Sequence, residues 1–258
     1  MIEQTNQLYR NYNGSVASFG NLIIPFDIKW NSISIALSGG ADSALLSFLL
    51  CDKIVKTNPV MTVHIISNIR CWKTRPWQST VRNQVIKYLR NKFPSLNLVL
   101  HKNFVPPELE HGTMGKTITD EYGKTVSGDT LELRAFAEYI NFQHNCDAYY
   151  NAVTKNPPIY IEGSLSSRDI YPSDNNLRLM VMKHMNTVAC HPFRFLDKSW
   201  IMRQYKELGI NDLLDITRSC EGEFGDIDYT SYTAGQHVPL CNTCFWCNER
   251  KWAIEQSK

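Results

Sequence analysis

The chain has 258 residues, 43% of them apolar and 20% charged, with a formal net charge of +2. These are ordinary globular values, suited to one large domain or a domain with an appendage. They exclude a disordered polyelectrolyte and give no overall basic footprint for nucleic acid. No apolar run reaches the roughly 18 residues of a membrane span, so no membrane partner is expected. The first residues lack the basic and apolar regions of a signal peptide, and a cytoplasmic location is expected. The eight cysteines should then be reduced, sitting in the core, at a catalytic position or on a metal.

The first 30 residues are rich in Asn, and Ile23, Ile24, Phe26 and Ile28 predict an edge strand. Ile33, Ile35 and Leu37 alternate with small residues, as in a strand. From Asp42 the period changes, and Leu45, Leu46, Leu49, Leu50 and Ile54 outline one helical stripe. Between them stands Ser38-Gly39-Gly40-Ala41-Asp42-Ser43. Two glycines allow a tight turn and bring backbone N–H groups close to a ligand. The helix start behind them adds unpaired N–H groups and partial positive charge, which suits phosphate or pyrophosphate. Ser38 and Ser43 supply hydroxyl donors, and Asp42 is placed to hold Mg²⁺ or to cap the helix. No Gly-Lys-Ser/Thr ends the loop, so it is not a Walker A motif, and it is not Gly-x-Gly-x-x-Gly.

Residues 61–67 form a second β-branched run, and 96–100 a third short strand. Between them, 78–92 reads as a helix through Val81, Val85, Tyr88 and Leu89. Strands alternating with helices predict βαβ units and a parallel sheet, with any ligand beyond the carboxyl ends of the strands. Arg70, Trp72, Lys73, Arg75 and Trp77 follow the second strand. They fit base stacking and phosphate pairing as well as they fit a solvated loop packed on the domain edge. Residues 101–127 have no convincing period and read as a lid, an insertion or a dimer arm. A helix over 129–144 is apolar on more than one face and should be well buried.

Residues 159–164 read as a fourth strand whose end, Gly163-Ser164, opens toward the nucleotide. Ser173 or Asp174 caps an expected helix through Leu177, Met180, Val181 and His184. A last strand covers 187–190. Asp197 then caps a helix from Lys198 to Leu208, stopped by Gly209, and 211–216 makes a further helical turn.

Cys241, Cys244 and Cys247 stand at i, i+3 and i+6, a knuckle that can direct three thiolates at one ion. Cys220 is the expected fourth ligand, with His237 in reserve. Softness favours Zn²⁺, an iron–sulfur cluster is the rival, and three unrelated thiols are the bland alternative. Cys51 and Cys190 read as small core residues, and Cys71 and Cys146 as isolated ones. The remaining histidines occur singly and are assigned no metal role.

The 38–43 loop resembles the Ser-Gly-Gly-x-Asp-Ser pyrophosphate loop of the N-type ATP pyrophosphatases, the PP-loop superfamily. The C-terminal third carries His191-Pro192-Phe193, then Asp197-Lys198-Ser199-Trp200-Ile201, Leu208-Gly209 and Thr217-Arg218-Ser219-Cys220. Together with the knuckle, Asn248 and Arg250, it resembles the narrower 7-cyano-7-deazaguanine synthase family. The resemblance covers 33–50 and 159–252 well and 60–158 poorly. It implies an α/β PP-loop fold with a five-stranded parallel sheet, a nucleotide-binding domain over 1–196 and a zinc-bearing helical segment over 197–258. It implies ATP, Mg²⁺ and Zn²⁺ as cofactors and 7-carboxy-7-deazaguanine with ammonia as substrates, in a homodimer.

Residue by residue, the resemblance makes Ser38, Asp42 and Ser43 catalytic. ATP would be held by Ser38, Gly39, Gly40, Ala41, Asp42 and Ser43 with Gly163 and Ser164. Arg168, Asp169, Tyr171 and Asp174 would hold the acceptor, and Cys220, Cys241, Cys244 and Cys247 the zinc. Two departures stand out. Residues 221–240 separate Cys220 from the knuckle by more than the family's usual spacing, and Tyr171-Pro172 is followed by Ser173-Asp174-Asn175 where the family has Asp-Cys-Arg. Other expectations in view are a PP-loop enzyme acting on a tRNA base, as a thiolase or lysidine-type ligase, and a non-catalytic nucleotide-binding subunit. Loss of the metal is expected to loosen 211–258 while ATP binding persists.

Overall fold

A computed structural model describes residues 14–19, 22–70, 77–105, 117–119, 125–157, 180–181, 187–220 and 240–258. The chain enters through an antiparallel pair, β1 (Val16–Phe19) and β2 (Leu22–Pro25), where a single edge strand over 23–28 was expected. It continues into β3 (Ser32–Ala36), α1 (Ala41–Thr57), β4 (Thr62–Arg70), α2 (Gln78–Lys92) and β5 (Asn97–Val105). These strands pair in parallel, Ile35 opposite Ile65 and Ile65 opposite Leu100. A short antiparallel pair, β6 (Thr117–Thr119) and β7 (Thr125–Ser127), precedes α3 (Gly128–His144). The stretch 101–127, expected to lack regular structure, therefore holds the end of β5 and this pair.

After α3 come β8 (Ala148–Tyr150), β9 (Met180–Val181) and β10 (Val188–Cys190), then α4 (Lys198–Glu207), α5 (Asn211–Ile216) and α6 (Phe245–Gln256). The main sheet has the order β5-β4-β3-β8-β10-β9. Its first five strands are parallel, as expected, and β9 extends it antiparallel at one edge. The parallel strand beside β3 is β8, whose three residues are too short to carry a periodic signal. It is fixed from outside: Asn145 turns the chain at φ 47, and the Asp147 carboxylate accepts from the backbone N–H groups of Asn31 and Ser32. The expected strand at 159–164 lies outside the described residues. The helix expected through Met180 and Val181 is instead strand β9, because pairing with β10 satisfies their backbone groups.

Alternation along the strands sends Ile33, Ile35, Val63 and Ile65 to one face, where they form a core with Leu45, Leu46 and Leu49 of α1 and Val85 and Leu89 of α2. Ser34, His64 and Ile66 point to the other face, under α3. There the Ser34 hydroxyl donates to the Asn141 side-chain oxygen at 2.6 Å. α3 covers the sheet with Ala137, Ile140 and Asn141 but turns Tyr139 and Phe142 outward, 57% and 63% exposed. The expectation of a well-buried helix fails because only the i, i+3, i+4 stripe meets the sheet. α1 is buried nearly all round, since Trp200, Ile201 and Tyr205 of α4 cover its far side. Among the described residues no helix is long and apolar enough to cross a membrane.

Candidate nucleotide loop and metal centre

The chain runs from β3 to β4 on one side of β3, and β8 occupies the other side. Connections leaving in opposite directions open a crevice at the carboxyl end of β3, where ligands of open α/β sheets bind. The 38–43 loop stands at that end. Gly39 has φ +90, a conformation open to glycine, and a Cβ there would lie 3.2 Å from the backbone N of Arg82. Gly40 is the extended residue before α1 and makes no side-chain cap, so no capping side chain competes with an anion at the helix start.

The two serines brace the turn. The Ser38 N–H donates to Ser43 Oγ at 3.2 Å, the Gly40 N–H donates to Ser38 Oγ at 3.2 Å, and Ser43 Oγ donates to the Gly40 carbonyl at 3.1 Å. Arg82 is buried against the same turn. Its guanidinium bonds Ser67 Oγ at 3.2 Å and Asn83 Oδ1 at 2.8 Å. These partners, and Ser79 Oγ at 3.5 Å, are neutral, so its positive charge adds to the attraction for an anion.

Asp42 lies in the first turn of α1, but its side chain is only 20% exposed. Its Oδ2 is 3.3 Å from Nζ of Lys198, itself 2% exposed. Lys198 also pairs with Glu249 of α6 at 3.1 Å and lies 5.7 Å from the Trp246 ring centre. Asp42 therefore does not cap the helix, one of the two roles expected of it, since Gly40 is the N-cap and no side-chain capping bond forms; α4 and α6 close over Asp42 instead. Tyr205 of α4 donates to the Ala41 carbonyl at 2.7 Å, and Arg250 of α6 donates to the carbonyls of Leu214 and Thr217. Lys198, Glu249, Tyr205 and Arg82 are supports of the loop that were not assigned from sequence. Asp197 caps α4 as expected, accepting from the N–H groups of Ser199 and Trp200.

The four cysteines converge. Cys220 Sγ lies 3.4 Å from Cys241 Sγ, Cys241 Sγ lies 3.8 Å from Cys247 Sγ, and all four sulfurs stand within 4.8 Å of one another. A tetrahedral ion with metal–sulfur bonds of about 2.3 Å sets its ligands roughly 3.8 Å apart. A four-iron cluster would spread the sulfurs further, one per iron corner, so the spacing fits a single ion. Asn242 at φ 61 makes the knuckle turn, and the Cys244 N–H donates to Cys241 Sγ at 3.4 Å. Cys244 is the N-cap of α6, whose positive end favours thiolates. Burial pushes the bare Cys247 thiol up to about 11, and a bound cation would hold it ionised.

The cysteine cluster and the loop share a wall. Thr217-Arg218-Ser219-Cys220 runs along the glycine turn, the Arg218 N–H donating to the Gly39 carbonyl at 3.0 Å. A Cβ on Gly40 would lie 3.3 Å from Ser219 Oγ. Trp77 is buried here, its indole N–H bonded to the Cys220 carbonyl at 3.0 Å, so of the aromatic residues at 70–77 this one packs rather than waits for a base. The side chains of Arg70, Trp72, Lys73 and Arg75 lie outside the described residues. So do Gly163, Ser164, Arg168, Asp169, Tyr171, Asp174 and His237, and the insert 221–239. Cys51, Cys146 and Cys190 are buried free thiols.

His191 leaves the carboxyl end of β10. Burial, with Arg194 beside it, lowers its pKa to about 4. The folded value lies below the ordinary value near 6.5, so the unfolded chain binds more protons between the two. Stability from His191 is complete above about pH 6.5 and is lost as pH falls through about 4, on the order of 3 kcal/mol. In urea titrations across that window His191→Gln should show a shallower acid limb; an unchanged limb would remove His191 from the account.

No family model matches the chain, and no curated protein matches it by sequence. Among solved structures, the chain is similar to the U34-tRNA thiolase NcsA from Methanococcus maripaludis with its 4Fe-4S cluster. The identity is 12% and the TM-score 0.44, over 89% of this chain and 68% of that chain.

Proposed function

We propose that the chain binds Mg·ATP at residues 38–43 and transfers AMP to an acceptor oxygen, releasing pyrophosphate, as the N-type ATP pyrophosphatases do. The observation that carries this reading is the Ser-Gly-Gly-Ala-Asp-Ser loop standing at the carboxyl end of β3, at the point where the connections diverge. The N–H groups of the glycine turn and of the first turn of α1 would receive the β- and γ-phosphates. Ser38 and Ser43 keep the turn in shape, and Arg82 adds positive charge behind it. Asp42 is the residue that would hold Mg²⁺, with Lys198 fixing its carboxylate.

The acceptor we propose is the carboxylate of 7-carboxy-7-deazaguanine, on the resemblance of residues 191–250 to the synthases that use it. Its oxygen attacks the α-phosphorus and pyrophosphate leaves. Ammonia then attacks the acyl carbon, loses a proton and expels AMP to give the amide. A second ATP adenylates the amide oxygen as the nitrogen gives up one proton, and loss of its second proton with departure of AMP leaves the nitrile. A carboxylate oxygen is a poor leaving group, and the AMP ester makes it a good one. The protein needs chiefly to orient the reactants and stabilise charge on pyrophosphate. The four cysteines would hold Zn²⁺ as a closed site with no position for substrate.

Incubating the protein with Mg·ATP, ammonium and the acid should yield AMP, pyrophosphate and the nitrile. Asp42→Asn should lower that turnover by more than about 100-fold, the scale of removing one electrostatic contact in a reacting centre. AMP formation that depends on added tRNA and not on the acid would replace the acceptor. Turnover unaffected by Asp42→Asn would remove the loop from the chemistry.

A further inference from the structure

Three histidines from distant parts of the chain meet on the sheet face opposite α1 and α2. Val99 pairs with His64 and His101 with Ile66, so His64 of β4 and His101 of β5 are diagonal neighbours on one face. His144, the last residue of α3, closes over them. His64 Nδ1 lies 2.9 Å from His101 Nε2, the ring centres are 4.3 Å apart for His64 and His144, and one nitrogen from each ring lies within 4.8 Å of the others. His64 is buried, His101 half-buried and His144 exposed.

We propose that His64, His101 and His144 form a binding site for a divalent transition-metal ion, zinc foremost, with its fourth position open to water or an anion. Neutral imidazoles are strong ligands for such ions, and three of them leave a tetrahedral ion one free position. Metal–nitrogen bonds of about 2.0–2.1 Å in a tetrahedron separate the nitrogens by roughly 3.4 Å. One pair lies at 2.9 Å and all three nitrogens within 4.8 Å, so small turns of the rings, that of the exposed His144 first, would reach that value. His64 is held rigidly in the sheet and supplies a fixed first ligand.

The carboxyl end of α3 points its partial negative charge at the same place, which favours a cation there and partly offsets the lack of an anionic ligand. His144, being exposed, gives the ion an entry path from solvent. A bound ion would tie the end of α3 to β4 and β5, far in sequence from the cysteine centre and on the opposite face of the sheet from the residues packed under the nucleotide loop. The site stands independently of the ATP chemistry.

The test is a zinc titration of the full chain against a chromophoric chelator, with cobalt substitution to identify ligands. The wild type should bind one zinc beyond the ion held by the cysteines, and cobalt in that site should show nitrogen and oxygen ligation without sulfur. His144→Ala and, separately, His101→Gln should weaken only that ion, by more than about 100-fold, since losing even an outer partner costs 10–100-fold. Cys220→Ser should lose the other ion and keep this one. His144 is exposed, so its replacement leaves the core intact, and an unchanged melting curve in the metal-free state checks this. No ion beyond the cysteine-bound one, or an extra ion held equally well by both histidine variants, would overturn the proposal.

Discussion

Lys198→Met is expected to destabilise the protein by about 3–5 kcal/mol, the cost of leaving buried charges without their partner. Lys198 Nζ stands between Asp42 and Glu249 and is 2% exposed, while Glu249 is fully buried. Removing the cation leaves two carboxylates facing each other in a region of low dielectric. Methionine fills much of the same space, so the loss reflects charge and not a cavity. The double variant Lys198→Met with Glu249→Met should recover part of the loss, because only Asp42, the more exposed carboxylate, is then left. Urea denaturation of the single and double variants reads this directly. A single variant within about 1 kcal/mol of wild type would mean that the ion pairs are well solvated, as surface pairs are.

Removing the ion from the cysteine centre should have a comparably large effect, and it should reach the nucleotide loop. Cys220→Ser should abolish binding of the cysteine-held metal and lower the melting temperature by about 10 °C. A loss of about 4 kcal/mol shifts a chain of this size by roughly that much. Cys220 is joined to Gly39 through Arg218 and to α2 through Trp77. Ser219 lies against Gly40. Loosening this strip removes one wall of the loop, so ATP affinity should fall about tenfold or more, where the sequence alone suggested that ATP binding would outlast the metal. Calorimetric ATP titration of Cys220→Ser, beside its metal content, checks both parts. A variant that loses the ion but binds ATP as wild type does would restore the independence of the two sites.

Much of this arrangement is local and was legible in the residues. α2 occupies the predicted residues 78–92 because Val81, Val85 and Leu89 recur at helical spacing. Asp197 and Gly209 bound α4 as their chemistry requires, Gly209 at φ +65. The glycine turn falls between β3 and α1 because the periodicity changes there. The parts that were not legible depend on distant residues. β8 has three residues and is fixed by Asp147 and by its neighbours, not by its own pattern. Lys198 meets Asp42 only after α4 packs on α1, and no spacing in the sequence announces it. Arg82 looks like one polar residue on an amphipathic helix until the turn at Gly39 closes over it. The three histidines occur singly along the chain and were given no metal role. Strand register and the end of α3 bring them together.

If residues 38–43 form the nucleotide loop, their backbone N–H groups receive the phosphates of ATP. Amide NMR of the full chain, titrated first with Mg·ATP and then separately with pyrophosphate, tests it at the atoms concerned. The amide resonances of Gly39, Gly40, Ala41, Asp42 and Ser43 should shift with both ligands and saturate together. Resonances of this turn that stay in place at saturating nucleotide would contradict it.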